Sequence, residues 1–215
     1  MIDTIVFDLD GTLVDTNELV ADSWRYTVKT HADREITEDE IRGTLGELLL
    51  DSLKRVLPET DPEEALETYR EYQRELFLDR IRLFDGAEEV LRELHGAGIK
   101  NGLLTSRLIT SATRALEHFG ITELFDAVLT ASDTKVFKPD PAPVYEILGM
   151  LGSKPENALF VGDTVHDVEA GLAAGLYTIL VDWSYALPPE KRADAPKPDA
   201  VIKNMKELLT LMKEV

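Results

Sequence analysis

The chain has no cysteine, which excludes a disulfide framework and thiolate chemistry and accords with a reducing compartment. It has no long apolar run either. The longest uncharged stretch, Ala170 to Val181, contains two glycines and falls far short of the ~20 residues a membrane span needs, so no membrane partner is expected. Positive charge is scarce: 23 Lys and Arg face 41 Asp and Glu, for a net charge of -18. Such a surface repels a nucleic-acid backbone, so no nucleic acid is expected, and an anionic ligand must be small and held in a local basic pocket. Internal repeats and low-complexity tracts are absent, and the opening residues Met1 to Asp8 carry no basic segment or small-residue cleavage site. A cytoplasmic protein is therefore expected. What the chain does have is 215 residues, 44% hydrophobic and 30% charged, enough for one full domain and a smaller appendage. Its charge is compatible with a monomer or a weak homodimer.

Apolar Ile5, Val6 and Phe7 end abruptly in Asp8-Leu9-Asp10-Gly11-Thr12, the pattern of a buried strand opening into a loop. From about Asp15 to Arg82 the sequence turns helical and charged, with breaks at Gly43, Gly46 and Pro58 to Pro62. This marks a small helical insert. Leu48 to Leu50 and Leu76 to Leu83 read as its core, and the acidic stretches Glu35 to Glu40 and Glu59 to Glu67 as solvated helix faces. Beyond Phe84-Asp85-Gly86 the rhythm alternates. The pattern predicts helix Ala87 to His95, strand Asn101 to Thr105, helix Ile109 to Phe119 and an apolar run Ala127 to Thr130. It continues with helix Ala142 to Leu151, strand Ala158 to Val161, helix Val165 to Ala174 and strand Tyr177 to Val181. A loop over Ala186 to Pro198 precedes a last strand, Ala200 to Ile202, and a terminal helix. The fold class is therefore α/β, a doubly wound Rossmann-like parallel sheet with helices on both faces. Residues 1–14 and 86–215 are assigned to this core and residues 15–85 to the helical insert, with hinges near Val14 to Thr16 and Phe84 to Gly86.

The residues just past each strand are the informative ones: Asp8 and Asp10, Thr105 and Ser106, Lys138, then Asp163 and Asp167. In an open α/β sheet all of these converge beyond the carboxyl ends of the strands, where such sheets bind ligands. Crowded carboxylates raise one another's pKa unless a cation joins them, and a hard divalent ion such as Mg²⁺ takes carboxylate, carbonyl and water oxygens together. Each residue alone has a structural reading. Asp10-Gly11 makes a turn, Thr105 and Ser106 cap a helix, and Asp167 suits the first turn of one. Arg107 reaches either a substrate anion or an acidic neighbour. His166 is read as a helix-surface residue outside the site, because Mg²⁺ prefers oxygen.

Four ordered segments, Asp8-Leu9-Asp10-Gly11-Thr12-Leu13-Val14-Asp15, Thr105-Ser106, Lys138-Pro139-Asp140-Pro141 and Gly162-Asp163-Thr164-Val165-His166-Asp167, resemble the motifs of haloacid-dehalogenase-superfamily phosphatases. The resemblance spans essentially the whole chain. It implies that Asp8 is the nucleophile forming an aspartyl phosphate, and that Asp10 is the general acid and base, its backbone carbonyl also touching Mg²⁺. It places Asp8, Asp10, Asp163 and Asp167 around the metal, Asp167 through water or as a support. Lys138 would neutralise the nucleophile and the phosphoryl oxygens, to which Thr105 and Ser106 donate hydrogen bonds. The insert resembles the four-helix cap of the first subclass. Asp15-Thr16-Asn17-Glu18-Leu19 and Gly43-Thr44-Leu45-Gly46 are most similar to the phosphoglycolate phosphatase and pyrophosphatase branch. Gly11, Ser106, Arg107, Asn17, Gly43 and Thr44 are the implied substrate contacts. The expected activity is Mg²⁺-dependent hydrolysis of a small phosphorylated metabolite or pyrophosphate. Two alternatives stand beside it: a phosphomutase similar to β-phosphoglucomutase, whose arginine-bearing signature the Gly43 to Gly46 loop lacks, and a catalytically silent binder of a phosphorylated ligand.

Overall fold

Thr4–Phe7 is a four-residue strand, β1, buried on both sides. Its side chains alternate between two apolar clusters: Ile5 and Phe7 face one, Val6 the other. The computed structural model describes residues 2–215; Met1, the first residue of the expected core segment, lies outside them. After β1 come β2 (Val14–Asp15), α1 (Asn17–Ala32), α2 (Glu38–Arg42), α3 (Leu49–Val56), α4 (Pro62–Arg80) and β3 (Arg82–Leu83). Alternation then sets in with α5 (Ala87–Gly96), β4 (Lys100–Leu104), α6 (Ile109–Phe119), β5 (Ala127–Leu129) and α7 (Ala142–Leu151). The chain ends in β6 (Ala158–Gly162), α8 (Val165–Ala174), β7 (Tyr177–Val181), β8 (Ala200–Ile202) and the short α9 (Glu207–Leu211).

Six strands form one sheet in the order β5-β4-β1-β6-β7-β8, every pair parallel. Phe7 lies in register with Leu103 of β4 and Val161 of β6. β1 is where the winding reverses: the chain leaves it toward β4 and β5 on one side and later fills β6, β7 and β8 on the other. The crevice at such a switch point opens at the carboxyl end of the central strand, immediately beyond Phe7. Helices α5 and α6 cover one face through Val90, Leu91, Leu94, Ala115 and Leu116, while α7 covers the other through Ile147 and Leu148.

The insert has its own apolar cluster, in which Trp24 of α1 meets Tyr69 of α4 edge-on, ring centroids 5.3 Å apart. Leu49 and Leu50 pack against it, but the Leu76 to Leu83 stretch does not belong there. Phe77 and Ile81 are buried in the larger sheet cluster, with Leu76, Leu78 and Leu83 against it. The reason is length: α4 has 19 residues, roughly 28 Å, so its last turns leave the insert and return to the sheet. There β3 pairs with β2 as a two-stranded antiparallel ribbon, Val14 opposite Leu83 and Asp15 opposite Arg82. The Ala186 to Pro198 loop also contains more order than expected, a 3₁₀ helix at Pro189–Asp194 begun by proline.

Candidate active site

The turn after β1 builds the site from its own backbone. The amides of Leu13 and Val14 both donate to the Leu9 carbonyl, curling Asp8 to Thr12 over the sheet edge. Gly11 sits at φ +78°, and a Cβ there would lie 2.3 Å from Asp163 Oδ2, so glycine is what lets the β6 carboxylate approach the β1 loop. From the other side α8 starts with a reciprocal cap: Thr164 Oγ1 accepts from the Asp167 amide at 3.2 Å, and Asp167 Oδ2 accepts from the Thr164 amide at 2.9 Å. Thr164 Oγ1 also donates to Asp167 Oδ2 at 2.7 Å.

Lys138 joins the two halves. Its buried ammonium donates to Asp8 Oδ1 and Asp167 Oδ1, both at 2.7 Å, and to the Leu104 carbonyl at 3.1 Å. Burial works against that charge, but Asp167 and Asp8 more than offset it and hold Lys138 above the usual lysine range. Asp167 thus divides its oxygens, one for the helix cap and one for the lysine. Asp8 is pushed up to about 7, first by burial and then by Asp167 and Asp10, against the pull of Lys138. Asp163 is also raised, by burial, Asp167 and Asp8, and its Oδ1 is buried with no hydrogen-bond partner among the described residues.

Asp8, Asp163 and Asp167 each present a carboxylate oxygen within 4.8 Å of the others. An all-oxygen set, one member with an orphaned buried atom, fits a hard divalent cation. The Asp10 side chain is held elsewhere. Arg107 donates to it through Nε at 2.8 Å and Nη2 at 2.6 Å, so both carboxylate oxygens are taken. Burial alone would raise Asp10, but the Arg107 charge and hydrogen bonds outweigh it and leave the acid below the usual range. Of the two readings of Arg107, the acidic neighbour is the one its guanidinium meets here. Thr105 is buried, and its Oγ1 accepts from the Arg107 amide at 3.1 Å.

Above these groups lies a cavity of about 630 Å³ between sheet and insert. Asp8, Asp10, Thr105, Ser106, Lys138 and Asp163 line its floor, and Asn17 and Thr44 reach it from the insert. Gly43 does not. It ends α2 and faces a separate cavity of about 290 Å³ shared with Arg42 and His166. Sequence reasoning missed one wall of the main cavity: Arg70, Gln73, Arg74 and Phe77 of α4, with Arg114 of α6. The signal for it is the three- and four-residue spacing of those α4 positions, which puts them on one helix face.

Residues 5–181 match the haloacid dehalogenase-like hydrolase family. Pyrophosphatase PpaX of Halalkalibacterium halodurans is 34% identical over 98% of this chain and 97% of its own length, and PpaX of a Bacillus cereus strain is 33% identical over 98% and 96%. The crystal structure of a predicted phosphoglycolate phosphatase from Haemophilus somnus superposes with a TM-score of 0.86 at 26% identity, covering 98% of this chain and 97% of that one. β-Phosphoglucomutase from Clostridium difficile shares the fold, with a TM-score of 0.81 at 22% identity over 100% and 98% of the two chains. The chain belongs to the haloacid dehalogenase-like hydrolases. It is an enzyme of the phosphatase kind within that family. Among the described residues no helix is long and apolar enough to cross a membrane.

Proposed function

We propose that the chain is a Mg²⁺-dependent phosphohydrolase that works through an aspartyl phosphate on Asp8, with pyrophosphate and phosphoglycolate as its leading substrates. The observation that carries this reading is the Asp8, Asp163 and Asp167 cluster, bridged by Lys138 at the floor of an arginine-walled cavity. The similarity to pyrophosphatases supports the choice of substrates. Mg²⁺ held by Asp8, Asp163 and Asp167 would supply positive charge to the phosphoryl oxygens and keep Asp8 ionised. The insert, residues 15–85, acts as a cap that closes the cavity against bulk water.

Asp8 attacks phosphorus in line, and the new bond to its carboxylate oxygen forms as the bond to the leaving oxygen breaks. Asp10, ionised in the resting site, picks up a solvent proton as the substrate enters, gives it to that leaving oxygen, and then takes one from the water that attacks phosphorus as the bond to the Asp8 oxygen breaks. Lys138 holds the attacking carboxylate in place, and the Thr105 hydroxyl and Ser106 amide donate to the transferring oxygens. Phosphate release from pyrophosphate and a panel of small esters, with Mg²⁺ or EDTA, tests the reading. Turnover should require Mg²⁺ and fall by roughly a thousandfold or more in Asp8→Asn. Turnover that survives EDTA or that substitution would contradict it.

A further inference from the structure

Arg107 is nine-tenths buried, its side chain 10% exposed, yet it uses only part of its hydrogen-bonding capacity. Nε and Nη2 donate to Asp10, while among the described residues no group accepts from Nη1, and the residue lines the main cavity. Its guanidinium lies 4.7 Å from the centroid of the Phe77 ring, and that of Arg114 lies 5.7 Å from the same centroid. Arg70 lines the same wall and, like Arg114, forms no ion pair among the described residues. In a chain of net charge -18, unpaired arginines gathered on one cavity wall make a local positive field where a second anionic group of a ligand would sit.

The Asp10 pair gives this wall a second consequence. A carboxylate gripped through both oxygens by an arginine fork is fixed in that orientation and does not swing toward a leaving group or a water. We propose that Arg107 is a specificity and positioning residue that exchanges partners: it holds Asp10 in the resting site and gives it up to an anionic oxygen on the leaving side of the substrate. The inference rests on the phosphohydrolase reading for the role of Asp10. A carboxylate or phosphoryl group on the leaving side trades one Arg-anion pair for another of like strength, so Arg107 stays paired through the exchange. A neutral leaving group offers nothing in exchange, and Asp10 stays bound. Arg114 and Arg70 hold the same anion from the α6 and α4 sides. Selection therefore acts on kcat as well as on KM.

Two esters that differ only at that point, 2-phosphoglycolate and 2-hydroxyethyl phosphate, separate the possibilities. For the wild type, kcat/KM should favour phosphoglycolate by about a hundredfold, with part of the difference in kcat. In Arg107→Gln the phosphoglycolate value should fall by about a hundredfold while kcat for hydroxyethyl phosphate holds or rises, so the preference collapses. Arg107→Lys, which keeps charge without the fork, should lie between them, and Arg114→Gln should raise KM for phosphoglycolate alone. A uniform drop on both esters in Arg107→Gln, or equal wild-type turnover of the two, overturns the inference. Calorimetric titration of both esters into Asp8→Asn, with and without Arg107→Gln, reads the subsite without turnover. A phosphoglycolate preference of about tenfold that vanishes with Arg107 supports it, and equal affinities overturn it. If the wild type cleaves neither ester nor pyrophosphate but that binding preference is present, the phosphohydrolase reading fails and the anion subsite stands.

Discussion

Asp163 and Asp167 are four residues apart on the same loop and helix, yet they meet opposite fates. Asp167 spends both oxygens within the protein, on Lys138 and on the α8 cap, whereas Asp163 Oδ1 has no partner and its carboxyl is raised by burial and by its acidic neighbours. A bound cation relieves that second environment far more than the first. Asp163→Asn should therefore abolish the thermal stabilisation that Mg²⁺ confers. At a hundredfold excess over Kd the wild type should gain roughly 5–10 °C, and Asp163→Asn close to none, in melting curves recorded across a Mg²⁺ titration. Equal gains in both would remove Asp163 from the metal site. These residues were legible in the sequence because motif order and strand periodicity place them at one sheet edge. The division of labour inside Asp167 was not, since a first-turn acid and a lysine partner have the same sequence signature.

At the scale of elements, the join between insert and sheet is more than the β2-β3 ribbon. Tyr185, beyond β7, donates to Glu38 of α2; Arg42 lies 4.9 Å from the Tyr185 ring centroid; and Lys191 pairs with Asp39 at 3.1 Å. The Tyr185 hydrogen bond, with help from Arg25, holds Glu38 below its ordinary 4.5. A carboxyl depressed in the folded state stabilises above its unfolded pKa and loses that contribution as pH falls through the folded value. Wild type should melt about 1–2 °C above Tyr185→Phe near neutrality, the modest size expected of an exposed pair, and the gap should close in acid as pH falls through the depressed folded value. Melting curves of both proteins from pH 3 to 7 check this, and a gap that persists or widens in acid would assign the stabilisation to packing of the ring. The α/β half of the fold was readable to within a residue or two, because short apolar runs, buried on both faces, alternate with helices ended by glycines such as Gly120, Gly152 and Gly175. The joint was not. Two-residue strands have no period, and a five-residue α2 between Thr37 and Gly43 gives little.

Over the whole molecule, the chain carries a large negative charge and places Arg70 and Arg114, which form no ion pair among the described residues, where sheet and insert face each other. Arg70 and Arg74 reach that cavity from α4, far in sequence from every motif that marks the floor, so only their helical spacing announces them. The sheet supplies the chemistry and the insert supplies the roof, and α4 ties the two by burying Phe77 and Ile81 in the sheet cluster. Every step of the proposed reaction passes through Asp8 as nucleophile. The direct measurement is acid-quenched turnover of pyrophosphate or phosphoglycolate, followed by proteolysis and mass spectrometry of the peptides. One added phosphoryl group is expected on the peptide containing Asp8, formed only with Mg²⁺ and absent from Asp8→Asn. Steady turnover with no phosphorylated peptide at any quench time, or a phosphoryl group mapped to another residue, would contradict it.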